Sequence, residues 1–581
     1  MKFKNKIDFF TEKKVSYFKI TLLLLMFMLS INITGLNSNN NDVNSSKAMS
    51  NNIKSDNMAN ININAKISQL TGYKVDFKGY IGGNLSDDAQ GVVVDQNENI
   101  YVVGYTYSYG FPTKNAWEAT FGGNTDVFVA KFSQNGNLLW STFLGGSNYD
   151  VATGIALDSN NNVIISGYTT SINFPTLNGY QSQNLGSYDG FLAKFDTDGK
   201  LLFSTYIGGY GDDFANAVSV NKNNEIFVVG QTKSADFPLK NAWYSSSFTG
   251  TEMSFVSKYD SQGVLISNTL IGGNNIDVAY CISSDSNGNI YIAGETSSTD
   301  FPMVNSYQNS LNGSYDGFVS EFNSTGQLVF STYFGGSASD IIYGIAVHSN
   351  KIDVAGATGS TNFPTKNAFN AVYGGGIDDA FVVQLTNTGS LDFSSYIAGN
   401  TADLAFSVSV DSNGNIYISG DSDSSSFQVK DALQDTNKGY MDMFIAKVGS
   451  NGSLIFNTLL GGIYDDIGKS ITVSPHNNIV VAGSSASDGL GSSNAYYTNT
   501  SGGGDAFIIK LTDLNTPQPT STTSPAGQNT EPTTVTVTES ANTTETGGVD
   551  QQIFSNPIFS GAIGLMILSM LLNTVLLFRK K

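Results

Sequence analysis

A pair of small residues returns every 63 or 64 positions along this chain: Gly82-Gly83, Gly145-Gly146, Gly208-Gly209, Gly272-Gly273, Gly335-Gly336, Ala398-Gly399 and Gly461-Gly462. Four residues beyond the second member of each pair stands an aspartate: Asp87, Asp150, Asp213, Asp277, Asp340, Asp403 and Asp466. Self-similarity at a fixed period of this size means one supersecondary unit repeated, each copy burying the apolar face of the next. The repeat fixes shape far more tightly than it fixes a ligand.

One unit spells four strands. In the second repeat these are residues 153–158 (TGIALD), 163–167 (VIISG), 189–195 (DGFLAKF) and 201–207 (LLFSTYI). Each is rich in β-branched and aromatic residues and bounded by Asn, Asp or Gly, which supply the positive φ of tight hairpins. Nothing between residues 73 and 514 shows a 3.6-residue apolar period, so the chain reads as all-β. On the first strand one position is always small (Gly91, Gly154, Ala217, Cys281, Gly344, Ser407, Ser470). The next is always β-branched (Val92, Ile155, Val218, Ile282, Ile345, Val408, Ile471). Small residues suit strands converging on a narrow axis, and the branched ones pack against the neighbouring sheet. A phenylalanine recurs on the third strand (Phe128, Phe191, Phe255, Phe318, Phe381, Phe444, Phe507), a wedge between sheets. Four-stranded sheets arranged radially make a seven-bladed β-propeller over residues 73–514. Residues 75–81 (VDFKGYI) match a fourth strand, whereas the last repeat ends on a third strand at 505–511. The counts agree only if the entering strand completes the last sheet, which removes the exposed edges of an open ring.

The string 203–238, FSTYIGG…DDFANAVSV…NNEIFVVGQT…DFP, resembles the SBBP-type β-propeller repeat found in many microbial surface and secreted proteins. The likeness recurs in all seven units. Its Phe-Pro element is present in five (Pro112, Pro175, Pro238, Pro302, Pro364), becomes Phe427-Gln428 in the sixth and is missing from the seventh. The resemblance implies a fold and an extracellular setting, and no particular reaction.

The flanks read as export and attachment. Residues 1–35 carry lysines ahead of an apolar run and read as a signal peptide, with an uncleaved anchor as the alternative. Residues 36–72 are Asn/Ser-rich and read as disordered, and 515–555 as a Thr/Pro/Ser-rich stalk. Residues 557–578 are apolar enough for one transmembrane helix, and 579–581 (Arg-Lys-Lys) make a cytoplasmic basic tail. A C-terminal sorting signal is the alternative, and either places the propeller at the cell surface. Sequons at Asn84, Asn312, Asn323, Asn451, Asn499 and Asn542 permit glycosylation but are expected by chance in such a composition.

The chain carries a net charge of −20, and its only arginine is Arg579. Phosphate recognition needs clustered cations, so no nucleic-acid partner is expected. A sialidase-type arginine cluster is excluded for the same reason. The lone Cys281 rules out an intrachain disulfide and takes a position that is small in every repeat. His348 and His476 fall on separate hairpin turns, which argues against a triad or a His-ligated metal. Turns such as 285–289 and 411–415 (DSNGN) and 196–199 (DTDG) begin like calcium loops but lack the later bidentate glutamate. No cofactor motif is present. The repeated aspartates read as caps in the blade-to-blade loops, because an active site breaks the symmetry and a structural device repeats it.

Two connections are long and open on one face: the loop from the glycine pair to the Asp, and the Phe-Pro insert with its Asn-Ala-aromatic element. Binding residues concentrate on such loops. Trp117, Trp243, Tyr149, Tyr210 and Tyr464 are the candidates there, with the alternative that these aromatics pack the insert onto its own blade. The expected function is a non-catalytic cell-surface module for binding or assembly, through adhesion, an envelope glycan or a surface protein partner, tied to the membrane by its C-terminal helix. The rival is an extracellular polysaccharide hydrolase or lyase using channel-facing carboxylates. It would be marked by carboxylates outside the repeated set at the channel mouth.

Overall fold

The computed structural model describes residues 72–244, 248 and 250–515. The signal segment, most of the Asn/Ser-rich segment, all but the first residue of the stalk, the transmembrane segment and the basic tail lie outside the described residues. Among the described residues no helix is long and apolar enough to cross a membrane.

Strands β1–β28 form seven four-stranded antiparallel sheets. Six are consecutive in sequence; the first holds β2 (Asp87–Val94), β3 (Ile100–Thr106), β4 (Asp126–Phe132) and β5 (Leu138–Leu144). The seventh is composite: β26 (Asp466–Val473), β27 (Ile479–Ser485) and β28 (Asp505–Asp513) are completed by β1 (Tyr73–Ile81). The register runs from Tyr73 opposite Asp513 to Ile81 opposite Ala506, as the strand count requires.

Seven apolar clusters lie one at each junction of neighbouring sheets. The third-strand phenylalanines sit at their centres. In the first six blades the phenylalanine at the Phe-Pro position stacks on them, from Phe111 on Phe128 (4.6 Å) to Phe427 on Phe444 (5.2 Å). Such pairs add about 1 kcal/mol beyond area burial. The small first-strand position is where inner strands meet. A Cβ on Gly154 would lie 3.0 Å from the Ala217 Cα of the next blade. Where serine replaces glycine, its hydroxyl is used across the same gap: Ser470 Oγ accepts from Val92 N and Ser407 Oγ from Ile471 N, both at 3.2 Å.

The long insert does not stay on the loop face. It descends the outer edge of its blade and makes a short bridge to the fourth strand, Lys114 with Ser141, Leu177 with Ser204, Lys240 with Asn268, and likewise in the next three blades. It then turns back at a left-handed asparagine, Asn115, Asn178, Asn241, Asn305 or Asn367 (φ 44–51°), a conformation asparagine tolerates better than most residues. The Asn115 amide donates to Leu139 O (3.2 Å), and its counterparts do the same. The insert therefore covers the outermost strand edge, which would otherwise invite edge-to-edge pairing.

Candidate functional site at the channel mouth

The repeated aspartates are buried, each 0–1% exposed. In every blade the Oδ2 atom accepts the N–H of the second residue of the small pair, as in Gly146 N to Asp150 (2.7 Å) and Gly399 N to Asp403 (2.6 Å). It also accepts a serine hydroxyl at the end of the second strand, such as Ser171 Oγ at 2.9 Å.

A second aspartate series begins the third strand: Asp126, Asp189, Asp316, Asp379, Asp442 and Asp505, with Met253 in its place in the third blade. These cap the loop before them, as in Gly122 N to Asp126 (2.7 Å) and Asn312 N to Asp316 (2.9 Å). In five of the seven pairs the first glycine is wedged between the two series; Met253 leaves Gly272 against Asp277 alone, and alanine stands at 398. A Cβ on Gly145 would lie 2.5 Å from Asp126 Oδ1 and 3.0 Å from Asp150 Oδ2. The glycine pair and its aspartate are thus parts of one close-packed knot.

Burial pushes these carboxyls up, against the hydrogen bonds they accept. Asp87, Asp340, Asp403, Asp126, Asp189 and Asp442 reach about 6, and Asp379 about 7. In an unfolded chain an aspartyl titrates near ~4. Between about pH 4 and pH 6–7 the folded protein therefore holds more protons than the unfolded one. Stability from these groups is full below about pH 4 and is lost as pH rises through 6–7. Carboxylates shifted the other way, such as Glu98, Asp158 and Glu225, are fewer. The melting temperature at pH 5 should exceed that at pH 8 in a calorimetric scan at fixed ionic strength. A melting temperature that climbs with pH over this window would mean that the hydrogen bonds keep the carboxylates ionised.

Around the axis the repeats diverge. Each inner strand carries a β-bulge at the same place, and the bulged residue faces the central channel: Gln90, Thr153, Asn216, Tyr280, Tyr343, Phe406 and Lys469. Opposite each bulge stands a glycine of the second strand (Gly104, Gly167, Gly230, Gly294, Gly356, Gly420, Gly483). A Cβ there would fall 1.8–2.0 Å from a carbonyl oxygen of the inner strand, so only glycine admits the bulge. The channel encloses roughly 510 Å³.

This ring of seven is two-sided. Thr153 Oγ1 donates to Ala215 O (2.8 Å) and Asn216 Nδ2 to Ala279 O (2.9 Å), so their polar groups are spent on the next blade. The other side is an aromatic arc ending in a cation. Tyr280 lies 5.5 Å from Tyr343, Tyr343 lies 5.8 Å from Phe406, and Lys469 Nζ is 4.2 Å from the Phe406 ring centre. Tyr280 Oη donates to Glu295 Oε1 (2.8 Å). Lys469 acts electrostatically on Asp88 and Asp421, opposing the burial that raises both; Asp421 is held up at about 7. Each has an Oδ1 with no hydrogen-bond partner among the described residues, and Asp421 is 3% exposed. On the second and third blades, Tyr168, Tyr188 and Phe214 are in mutual ring contact at 5.1–6.0 Å.

The residues singled out from sequence fare differently. Tyr149, Tyr210 and Tyr464 are exposed in the loops after their glycine pairs, but no ring contact among the described residues joins them. The tryptophans are not on the long-loop face. Trp243 packs on Phe227 (6.2 Å) and on Phe322 of the next blade (6.3 Å), and a Cβ on Gly326 of a short hairpin turn would touch its ring at 2.4 Å. Trp117 is partly exposed on the outer edge, beside the Asn115 turn. The cause is the descending insert, which carries them down the blade. The Asp285 and Asp411 oxygens are occupied by their own turns, for example Asn289 N to Asp285 Oδ1 (2.9 Å). Among the described residues no group of three or more His, Cys, Asp or Glu side chains could hold a metal ion. His476 is not free on its turn: Nδ1 lies 2.9 Å from the buried Glu98 Oε1, which joins the last blade to the first. His348 is half-buried, with Nε2 2.9 Å from Ser349 Oγ. The channel arc went unread, although its signal is visible as the column just before the always-small residue, where the repeats disagree.

Comparison with known proteins agrees with the fold. The β-propeller repeat SBBP family model matches residues 77–112, 139–175, 269–302 and 392–428. The chain is similar to the regulatory protein FlaEY of Caulobacter vibrioides, with 26% identity over 50% of this chain and 31% of that one. It is also similar to an uncharacterized WD repeat-containing protein of Acanthamoeba polyphaga mimivirus, with 27% identity over 26% of this chain and 12% of that one. The matches therefore span less than a third of these relatives. Among solved structures, a gluconolactonase of Xanthomonas campestris aligns at 11% identity and TM-score 0.29, covering 62% of this chain and 85% of its own. A Dyadobacter fermentans protein of unknown function aligns at 11% identity and TM-score 0.35, covering 76% and 100%.

Proposed function

We propose that this seven-bladed β-propeller, matched by the SBBP repeat at four positions, is a non-catalytic binding module that takes a glycan at the long-loop mouth of its channel. The observation that carries this reading is the arc Tyr280–Tyr343–Phe406–Lys469, where four consecutive blades abandon the repeat's symmetry at one bulged position. Aromatic faces accept the apolar C–H faces of sugar rings, while Lys469, Asp88 and Glu295 offer a donor and acceptors for hydroxyl groups.

Asp421 and Asp88, carboxylates outside the repeated set, favour the hydrolase as a second reading, because a carboxyl titrating near 7 suits a general acid. Asp421 is buried beneath the channel wall, however, and a side chain 3% exposed does not meet a glycosidic oxygen. A glycan array probed with the purified protein, followed by a reducing-end assay on the bound sugars, separates the two. Retention of a defined glycan with no release of reducing ends supports binding. Release of reducing ends establishes the hydrolase, and an empty array removes the glycan reading.

The apolar 557–578 segment and the three cations after it support a membrane anchor with the propeller outside the cell. An epitope inserted beside Ala526 should be labelled on intact cells and one placed after Lys581 should not. Labelling of the second tag would refute this topology.

A further inference from the structure

The seventh blade lacks the Phe-Pro element, and its absence leaves a hollow of roughly 320 Å³ between the sixth and seventh blades. In the first six blades a phenylalanine fills the equivalent junction by stacking on the third-strand phenylalanine. In the seventh, Phe507 is met instead by Leu490, a smaller side chain, and both line the hollow with Leu433, Leu460 and Ile509.

The same departure changes the fourth strand. Ser141, Ser204, Asn268 and Asn457 tie the element down by donating to the carbonyl oxygens of Pro112, Pro175, Pro238 and Gln428. The equivalent residue of the closing strand is Lys78, which lines the hollow. Its backbone is bonded to Ser492, but its amine has no hydrogen-bond or ion-pair partner among the described residues. Lys438 stands close enough to repel it, and burial and that repulsion both push the Lys78 amine down. No carboxylate offsets them at Lys78: Asp435 lies on the exposed rim and pairs with neither lysine, and the buried Asp442 acts on Lys438 alone.

We propose that this hollow binds a small amphiphilic anion, a carboxylate on an apolar body about the size of one aromatic ring, with Lys78 and Lys438 holding the charge. Lined by leucines, Ile509 and Phe507, the hollow takes the body; an anion supplies the partner that the Lys78 amine lacks and offsets its repulsion by Lys438, which a neutral ligand would leave in place. The site is separate from the channel and stands or falls independently of the glycan reading.

Titration calorimetry of the full chain with 4-phenylbutyrate tests it, with 4-phenylbutanol as the neutral partner. The acid should bind saturably and at least tenfold more tightly than the alcohol. Lys78→Met should remove that preference without lowering the melting temperature, and Leu490→Phe, which refills the hollow, should block the acid. N-acetyl-leucyl-phenylalanine distinguishes the source of the carboxylate. Tighter binding than phenylbutyrate points to a peptide C-terminus and weaker binding to a free acid, and either result sustains the site. No binding of either acid, equal binding of acid and alcohol, or an unchanged preference in Lys78→Met would overturn the proposal.

Discussion

Removing the residues up to Ile81 should lower the melting temperature by at least about 10 °C and send much of the protein into aggregates. The closing strand contributes Phe77 and Ile81 to the core between the last and first blades, and Tyr73 and Tyr80 to the core between the sixth and seventh. Burying a large apolar side chain is worth about 1.5–3 kcal/mol, so four such losses far exceed an ordinary point mutation. The deletion also bares the edge of β28 along its whole length. Scanning calorimetry with size-exclusion chromatography reads both effects. An unchanged melt with an unchanged elution volume would show that the ring does not depend on this strand.

Gly294→Ala should cost about 3 kcal/mol or more, the upper range for overpacking a filled site. The new Cβ would sit 1.8 Å from the Val278 carbonyl oxygen, and backbone rather than a flexible side chain must give way. The cheapest relief is loss of the bulge between Ala279 and Cys281, which would turn Tyr280 away from the channel. The variant should therefore lose glycan affinity beyond its loss of stability. Ala293→Gly, one step along the same strand, controls for a general effect of weakening this sheet. Wild-type melting of Gly294→Ala would mean that the bulge tolerates a side chain and is not what aims Tyr280.

Much of this architecture was legible in the residues. The glycine-aspartate spacing gave the blades, the recurrent third-strand phenylalanine gave their packing, and one surplus fourth strand gave the closure. The reach of the insert was not legible. A single backbone bridge such as Lys114 with Ser141 leaves no periodic pattern, so an edge cover reads as a loop, and Trp117 and Trp243 read as loop-face residues although the insert carries them down the blade. The second aspartate series was hidden because Met253 interrupts it and the insert before it varies.

The channel arc escaped for a different reason. A repeat is found by looking where copies agree, whereas Tyr280, Tyr343, Phe406 and Lys469 stand where they differ. The bulge that turns them inward also breaks the two-residue alternation by which facing is read from sequence. Asp88 and Asp421 come from the first and sixth blades, and only ring closure brings both within reach of Lys469 on the seventh.

The most direct test is the dissociation constant of the glycan best retained on the array, measured by titration calorimetry for Phe406→Ala, Tyr343→Ala and Tyr210→Ala. Truncating an aromatic anchor at the centre of a site commonly costs about 2 kcal/mol or more. Phe406→Ala and Tyr343→Ala should therefore weaken binding at least about thirtyfold, with melting temperatures close to wild type, and Tyr210→Ala on the outer loop should leave binding unchanged. Loss of binding in Tyr210→Ala alongside full affinity in Phe406→Ala and Tyr343→Ala would place recognition on the loops and contradict the channel-mouth site.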